Sequence, residues 1–401
     1  MRTDAAPAPG GGAAARRAPL EFRDPARARA FLELLDRRTR DRAGDPVSVM
    51  HVCGSHEQAI ARFGLRSVFP KGLRVIAGPG CPVCVTDAPE VDEAVALAER
   101  GVRVLTYGDM LRVPGTARSL ADARAEGARV ELVYGPAQAA ERAAACDEEV
   151  VFFATGFETT AVATAAVLLR EPPPNLFVLS AHKYIPPVME IVAEMPGTRV
   201  EGFLAAGHAA AITGSAVFEP FAERHRRPVV VAGFEPLDIL AGFARLVELV
   251  RRGEPRVENL FPRCVTRDGN RAALEQLWTV FEASGGRWRG IARVPNGNLR
   301  LREAFAARDA RRRWADLLRE ALRVPTAAFA SQCRCGDVMA GLGAPTDCTL
   351  FGRVCTPETP VGACMVSSEG TCRIWHQYGG HPDLRAPGEP AAAAPGPGAR
   401  T

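Results

Sequence analysis

Between residues 46 and 250, short apolar runs alternate with stretches of helical periodicity, and this alternation restricts the possible folds more than any other pattern in the chain. The runs are rich in Val, Ile, Leu and Phe, as strands buried on both faces of a sheet require. They cover residues 47–52, 73–76, 102–105, 130–133, 150–153, 176–179, 203–204 and 229–231. The alternation predicts an α/β fold with mostly parallel sheets.

Four of the runs end in a small residue and a glycine before a helix-like stretch begins, and glycine allows a tight turn at such a point. These turns lie at 53–56, 155–158, 206–208 and 232–235. In open α/β sheets, ligands bind outside the carboxyl ends of the strands. The polar residues of the four turns are therefore expected to face a common crevice, unless they serve only as turn residues.

Outside this region the sequence is less regular. Residues 1–19 and 385–401 are rich in Ala, Pro and Gly and have few large apolar side chains, which is typical of flexible tails. A short helix is expected over 24–38, where apolar residues share one side. Between residues 255 and 330 we expect helices near 271–282 and 302–322, and turns at 284–286 and 296–298.

Charge and hydropathy exclude some classes of partner. The chain has 50 basic and 46 acidic residues, and its net charge of +4 is too even for nucleic acid or an anionic membrane to be the main partner. No apolar stretch approaches the roughly 18 residues of a membrane-spanning helix. Residues 1–20 lack the apolar block of a secretory signal peptide. We therefore expect a cytoplasmic protein that binds neither nucleic acid nor a membrane.

The 11 cysteines are unevenly distributed, with six between Cys333 and Cys372 and three between Cys53 and Cys84. In a reducing compartment, cysteines are more often metal ligands, redox thiols or nucleophiles than structural disulfides. The two remaining cysteines, Cys146 and Cys264, are expected to have packing or surface roles.

The C-terminal group is spaced irregularly among glycines and prolines. Its members are Cys333, Cys335, Cys348, Cys355, Cys364 and Cys372. Such a segment cannot build an apolar core, so four thiolates around one metal centre would hold its loops. Zinc and iron–sulfur clusters both accept four sulfur ligands, but zinc modules usually have paired C-x₂₋₄-C ligands, which this segment lacks. The spacing favours an iron–sulfur cluster, with a zinc site or unligated thiols as alternatives.

Cys81 and Cys84 form a C-x-x-C pair between a predicted strand and a predicted helix. A helix N-terminus lowers the pKa of a nearby thiol and stabilises the thiolate, so the pair suits reversible disulfide chemistry. The alternatives are half of a zinc site, or two incidental cysteines in a glycine-rich turn.

Cys53 ends a predicted strand, and His56 follows three residues later. This arrangement fits an activated nucleophile or a two-ligand metal site. An incidental pairing of the two residues is the alternative.

Seven motifs in this chain occur in the order in which a known protein family has them. They are MHVCGSHE (50–57), GPGCPVCVT (78–86), ATGFETT (154–160), LSAHK (179–183), CRCGD (333–337), LFGRVCTPE (350–358) and MVSSEGTC (365–372). Together they closely resemble the HypD family of [NiFe]-hydrogenase maturation factors. The resemblance extends over about residues 25–380.

The resemblance implies two similar Rossmann-like α/β domains with mostly parallel sheets that flank a cleft, plus a smaller C-terminal iron–sulfur domain. By this resemblance, residues 1–19 and 385–401 are tails, and residues 20–45 form an N-terminal helix that packs on the C-terminal domain. The first α/β domain covers 46–135 and contains Cys53, Cys81 and Cys84. The second α/β domain covers 136–252, and the iron–sulfur domain covers 253–384.

The resemblance also implies an assembly scaffold with redox activity rather than a conventional turnover enzyme. Family members form a complex with the small chaperone HypC, on which the Fe(CN)₂CO group of the hydrogenase is assembled, and HypE with HypF supplies the cyanide. By this resemblance, Cys53 is an iron-binding thiol shared with the N-terminal cysteine of the partner, and His56 lies beside it. Cys81 and Cys84 are a redox dithiol connected electronically to a [4Fe–4S] cluster.

For that cluster we expect the ligands Cys335, Cys348, Cys355 and Cys372. Cys333 is the alternate ligand, because two thiols one residue apart rarely both ligate one cluster without strain. Cys364 is left out of the set.

Further residues expected near the cleft are Glu158, Thr159, His182 and His208, each of which could equally be a capping or packing residue. Two other functions fit the cysteines. One is a stand-alone iron–sulfur thiol–disulfide oxidoreductase that acts through Cys81 and Cys84. The other is a zinc-stabilised binding module with no redox role.

Overall fold

The computed structural model of the chain describes residues 22–321 and 332–378. The tails predicted at 1–19 and 385–401 lie outside the described residues. The strands are β1 (Val47–His51), β2 (Leu73–Ala77), β3 (Arg103–Thr106), β4 (Val130–Leu132), β5 (Val150–Gly156), β6 (Leu176–His182), β7 (Gly202–Ala206), β8 (Val229–Ala232), β9 (Val257–Asn259), β10 (Phe281–Trp288) and β11 (Ala292–Leu301).

The helices pack around these strands. They are α1 (Pro25–Thr39), α2 (Gly54–Arg62), α3 (Pro82–Val85), α4 (Ala88–Glu99), α5 (Leu120–Ala125), α6 (Pro136–Ala144), α7 (Glu158–Leu168), α8 (Ile185–Glu194), α9 (Gly207–Thr213), α10 (Glu219–His225), α11 (Pro236–Arg252), α12 (Arg271–Val280), α13 (Ala310–Arg313), α14 (Ala315–Ala321), α15 (Cys335–Met339), α16 (Ala363–Val366) and α17 (Thr371–Gln377).

Two parallel sheets form the centre of the fold. The first sheet has the strand order β2-β1-β7-β8-β9, and the second has the order β4-β3-β5-β6. All neighbouring strands in both sheets run parallel. Each of the predicted apolar runs forms one of the strands β1 to β8, so the predicted α/β fold with parallel sheets is confirmed.

The chain crosses from one sheet to the other and back. It leaves the first sheet after β2, builds the whole second sheet from β3 to β6, and returns to the first sheet at β7. The boundary predicted at 135/136 therefore falls between β4 and β5, which belong to the same sheet. This happens because β7 inserts beside β1, whereas β3 pairs with β5.

An antiparallel hairpin, β10 and β11, packs on the second sheet. The turns predicted at 284–286 and 296–298 are wrong, because both segments lie inside these strands. The register shifts between Ser284 and Gly286, which is the kind of bulge where glycine is common. Asn296 has a φ of 55° within β11. The residues that suggested turns therefore mark irregular positions within strands.

Helix α1 begins where the sequence predicts it, but its packing partner differs from the prediction. Asp24 caps it by accepting hydrogen bonds from Ala26 N and Arg27 N, and Pro25 occupies the first turn. Its apolar face packs on α11 within a cluster that includes Leu35 and Phe243. The expectation that this helix packs on the segment 253–384 is wrong, because the buried stripe of α1 matches the apolar face of α11.

The largest apolar cluster connects the two sheets. It includes Met50 and Phe203 from the first sheet, Val104 and Phe153 from the second, and Cys372 from near the C-terminus. Among the described residues, none of the helices is both long enough and apolar enough to cross a membrane.

Candidate functional site

Three of the glycine turns lie side by side at the carboxyl edge of the first sheet. The turns at 53–56, 206–208 and 232–235 follow β1, β7 and β8, which are adjacent strands. The fourth turn, at 155–158, follows β5 in the second sheet. The shared edge is the place where ligands bind in folds of this type.

Cys53 is the last residue before α2 and has only 3% of its surface exposed. Burial raises the pKa of its thiol to about 12, although the backbone N–H groups of Ser55 and His56 favour the thiolate. The thiol is therefore protonated unless a cation replaces the proton. Its sulfur lies 4.0 Å from Nδ1 of His208.

His56 is fully buried, and Phe234 lies between it and His208. Nε2 of His56 is 3.0 Å from the carbonyl oxygen of Gly233, and the ring stacks on Phe234 at 4.8 Å. Since a carbonyl oxygen only accepts, Nε2 carries the proton and Nδ1 keeps a lone pair. That Nδ1 has no hydrogen-bond partner among the described residues. Burial lowers the pKa of His56 to about 3, so the ring is neutral.

The cysteine pair lies directly beside the Cys53 turn. Cys81 and Cys84 are disulfide-bonded, and the Cys81 sulfur accepts a hydrogen bond from Cys84 N at the start of α3. Gly80 makes the close approach possible, because a Cβ there would lie 2.1 Å from Cys53 N. The carbonyl of Gly80 accepts the Gly54 N–H at 3.0 Å. Any side chain at position 80 would push the two turns apart.

Residues 332–378, here called the C-terminal cysteine segment, bring six cysteines into one region. The sulfurs of Cys333 and Cys335 are 3.0 Å apart. Both lie against Gly362, where a Cβ would come within 2.6 Å of either sulfur. The Cys364 sulfur accepts the Cys372 N–H at 3.3 Å.

The thiols of this segment influence one another's ionisation. Hydrogen bonding to Cys335 lowers the pKa of Cys333 to about 7, and the same contact with burial raises the pKa of Cys335. Contact with Cys364 and burial raise the pKa of Cys372. Neighbouring thiolates repel each other, so a bound cation would stabilise them.

Close contacts between thiols join Cys333 to Cys335 and Cys364 to Cys372. Within residues 22–321 and 332–378, no three His, Cys, Asp or Glu side chains are arranged as a ready metal site.

The C-terminal cysteine segment packs on both turns of the site. A Cβ on Gly54 would lie 2.5 Å from the carbonyl oxygen of Glu369. Ser55 Oγ lies 3.3 Å from the Glu369 carboxylate. Helix α16, which carries Cys364, contacts α3, which carries Cys84. The three groups of cysteines singled out in the sequence are therefore neighbours in space.

A buried ion network behind Cys53 was not predicted from the sequence. The Glu57 carboxylate lies 2.7 Å from Nε2 of His51, is paired with Arg66, and accepts the indole N–H of Trp375 at 2.8 Å. The sequence signal is limited to an acidic residue in the first turn of α2, next to His56. Nothing local indicates Trp375, which is 318 residues away.

The other predicted cleft residues have structural contacts in the second sheet. Glu158 is buried and accepts the Ile185 N–H at 2.8 Å, which holds the start of α8, and Thr159 beside it is half-buried. Burial raises the pKa of Glu158 to about 7. His182 is also buried, and its Nε2 lies 3.0 Å from Thr164 Oγ1. These contacts match the capping and packing roles that the sequence analysis gave as the alternative to a place in the cleft.

Comparison with known proteins agrees with the motifs. A sequence model of the HypD family, described as "Hydrogenase formation hypA family", matches residues 27–379. The chain is 42% identical to the hydrogenase expression/formation protein HupD of Azotobacter chroococcum over 374 residues, which are 90% of this chain and 96% of the relative. The same identity and coverage hold for the hydrogenase maturation factor HypD of Azotobacter vinelandii.

The hydrogenase maturation factor HypD of Cupriavidus necator is 41% identical over 361 residues, covering 86% of this chain and 93% of that protein. Both the family model and these relatives span the α/β sheets and the C-terminal cysteine segment. The chain belongs to the HypD family.

Proposed function

We propose that this protein acts in [NiFe]-hydrogenase maturation as a scaffold on which the Fe(CN)₂CO group is assembled. It has redox activity but is not a conventional turnover enzyme. The observation that carries the proposal is the packing of the Cys53 turn against both other groups of cysteines. Gly80 brings the Cys81 turn onto it, and Gly54 brings the C-terminal cysteine segment onto it.

Cys53 is the proposed ligand for the iron that is being assembled. Iron that carries cyanide and CO requires soft, electron-rich ligands, and a thiolate is one. The buried Cys53 thiol is protonated, so iron binding releases that proton. His208 lies next to the sulfur, and His56 has a buried lone pair on Nδ1. Both are neutral imidazoles suited to assist at this site.

The C-terminal cysteine segment is the proposed site of a resident [4Fe–4S] cluster within an iron–sulfur domain at 253–384. Such a cluster supplies single electrons when it is bound. The chemistry of the donor set fits, because six thiols lie in one region and contacts among them shift the pKa values of Cys333, Cys335 and Cys372. The proposed ligands are Cys335, Cys348, Cys355 and Cys372, with Cys333 as the alternate.

Cys81 and Cys84 are proposed to store two electrons beside the iron site. Reduction of their disulfide takes up two electrons and two protons and gives two thiols. The Cys84 N–H that hydrogen-bonds the Cys81 sulfur would stabilise a thiolate there. The pair would thus supply reducing equivalents from a turn that already contacts the Cys53 turn.

The partners follow from the same proposal. A HypC-type chaperone would share the iron through its N-terminal cysteine, and HypE, working with HypF, would supply cyanide. The proposed location is the cytoplasm, where nine unpaired cysteines such as those of the described chain stay reduced.

Anaerobic co-purification with a HypC-type partner followed by infrared spectroscopy tests this function. The complex is expected to contain iron and to show bands from iron-bound cyanide and carbonyl. The partner purified alone is the control and should lack them. A stable complex that contains iron but never shows these bands, even with HypE and HypF present, would contradict the scaffold role.

The disulfide also favours a second candidate, an iron–sulfur thiol–disulfide oxidoreductase. That function predicts disulfide reductase activity from the purified protein without any partner, whereas the scaffold predicts none. The remaining alternative, a zinc-stabilised module, predicts a colourless protein, because zinc is d¹⁰ and an iron–sulfur cluster absorbs visible light.

A further inference from the structure

The Glu57 carboxylate, close to the proposed iron site, is held by hydrogen bonds from three different side chains. Glu57 is fully buried and receives hydrogen bonds from His51, Arg66 and Trp375. Burial alone would raise its pKa, but the charge of Arg66 and the contact with His51 outweigh burial and lower it. Hydrogen bonds to a buried charge are among the strongest in proteins.

One side of this network reaches the Cys53 turn. Glu57 lies in the first turn of α2, the helix that Cys53 precedes. His51 connects the two by a second route, because its Nδ1 is 3.1 Å from the Cys53 carbonyl oxygen while its Nε2 faces Glu57. Movement of the Glu57 carboxylate would therefore displace the backbone that carries the Cys53 thiol.

The other side reaches the C-terminal cysteine segment. Trp375 and Cys372 are three residues apart on α17, which places them on neighbouring positions of one helix face. The guanidinium of Arg66 also lies over the Trp375 ring at 5.7 Å. Helix α17 packs on α2. The helix that bears a proposed cluster ligand thus donates a hydrogen bond to the helix that begins at the proposed iron ligand.

We propose that the Trp375–Glu57 hydrogen bond is a positioning link through which the C-terminal cysteine segment holds Cys53 in place. This inference rests on the proposed function, which assigns the iron to Cys53 and the cluster to the segment. Trp375 and Glu57 are positioning residues and do not touch the iron. When the segment is ordered around its cluster, α17 fixes α2, and the Cys53 thiol stays buried beside His208.

Trp375→Phe tests the link, because it removes the indole N–H and keeps an aromatic ring beside Arg66. The measurement is the anaerobic rate of Cys53 alkylation by iodoacetamide in cluster-loaded protein, followed by peptide mass spectrometry. We expect the rate to rise about tenfold, equivalent to about 1.4 kcal/mol. Trp314→Phe is the matched control, since Trp314 contacts Phe177 at the other sheet, and it should leave the rate unchanged.

Two cysteines of the same molecule separate positioning from general loosening. Cys264 is exposed and reports reagent activity, and Cys146, half-buried in the connection between α6 and β5, reports loosening away from the Cys53 turn. The proposal requires both rates to stay constant while Cys53 accelerates. An unchanged Cys53 rate in Trp375→Phe, or an equal rise at Cys146, would overturn it.

If Trp375→Phe does not fold, hydrogen exchange of the wild-type chain gives the answer. Removing the cluster by anaerobic chelation should speed exchange of the α2 amides about tenfold and leave α6, on the second sheet, unchanged. Equal exchange in α2 before and after chelation would overturn the link. Failure of the proposed function would be seen in a different experiment. Infrared bands of iron-bound cyanide that persist in a variant without Cys53 would reject Cys53 as the iron ligand, and they would leave the alkylation result unaffected.

Discussion

At the scale of single residues, burial keeps side chains that lack an ion-pair partner uncharged, as at Cys53 and His56. Burial raises the pKa of Cys53 to about 12 and that of Glu158 to about 7, and it lowers the pKa of His56 to about 3. A neutral thiol and a neutral imidazole are compatible with a dry site, whereas an unpaired charge is not. On the proposed function, iron would meet uncharged donors at this site, and its binding would be coupled to loss of the Cys53 proton.

The effect of burial on Glu158 can be tested by measuring how the stability of the protein depends on pH. The folded protein holds the Glu158 proton up to about pH 7, whereas the unfolded chain releases it near pH 4.5. The contribution of the Glu158 proton to the free energy of unfolding is fully present below pH 4.5. It is lost as the pH rises to 7, and the total loss is about 3 kcal/mol. Urea unfolding of wild type and Glu158→Gln from pH 4.5 to 8 should show this difference. Parallel curves for the two proteins would contradict it.

The proposed cluster ligands can be tested one residue at a time. Serine replacements of Cys335, Cys348, Cys355 and Cys372 should each lower the iron and acid-labile sulfide of anaerobic protein. Cys364→Ser should retain both, because the Cys364 sulfur already has a packing role as the acceptor of the Cys372 N–H. Cys264→Ser, at an exposed position, is the control. Loss of the cluster in Cys364→Ser would overturn the assignment.

At the scale of elements, glycines in the connecting turns set how close the cysteine groups come. Gly80 and Gly54 contribute no Cβ at the two places where the turn of Cys53 meets its neighbours. Helices α2 and α3 then begin at adjacent points, so that Cys53 and Cys81 each lie directly before the first residue of a helix.

Gly80→Ala tests the need for this contact. The added Cβ would lie 2.1 Å from Cys53 N, a distance that forces the backbone to move. We expect a loss of about 1–3 kcal/mol in stability, as for other overpacked sites. Thermal unfolding is the measurement, and Gly44→Ala, where a Cβ meets nothing within 4 Å, is the control. Equal midpoints for the two variants would show that the turns are not in close contact.

The parts of this architecture that the sequence reveals are those with a local pattern. Strands β1 to β8 were predictable because buried parallel strands are continuous apolar runs. The hairpin was not, since Gly286 and Asn296 resemble turn residues while they occupy irregular positions inside strands. The partner of α1 was missed because an apolar stripe does not specify which surface covers it.

The candidate site follows the same rule. Cys53 and the pair Cys81 and Cys84 stand out because each occupies a turn between a strand and a helix. The contact between Glu57 and Trp375 joins residues 318 apart, and no local pattern contains it. His208 was expected near the cleft, but no local pattern indicates that its ring lies beside the Cys53 sulfur.

At the scale of the whole molecule, a buried charge pair connects the second sheet to α4 and to the hairpin. Lys183, just after β6, is fully buried and lies 2.7 Å from the carboxylate of Glu90 on α4. It also lies 3.3 Å from Asn298 Oδ1 on β11. One side chain thus joins the second sheet, the helix that follows the cysteine pair, and the hairpin.

Lys183→Ala should therefore destabilise the entire structure. Removing Lys183 takes from the buried Glu90 carboxylate its nearest cation and leaves Arg300 at 4.0 Å, at a cost of up to about 3–5 kcal/mol. The chain has one other lysine, Lys71, which is exposed, so Lys71→Ala is the matched control. Urea unfolding should shift strongly for Lys183→Ala and hardly at all for the control. Similar shifts in both would show that the pair contributes little.

The central claim is that the Cys53 thiol holds the iron during assembly. The most direct measurement is the infrared spectrum of the anaerobic complex with a HypC-type partner, recorded for wild type, Cys53→Ala and Cys264→Ala. We predict cyanide and carbonyl bands in wild type and Cys264→Ala, and none in a folded, partner-bound Cys53→Ala. Bands of wild-type intensity in Cys53→Ala would contradict the account.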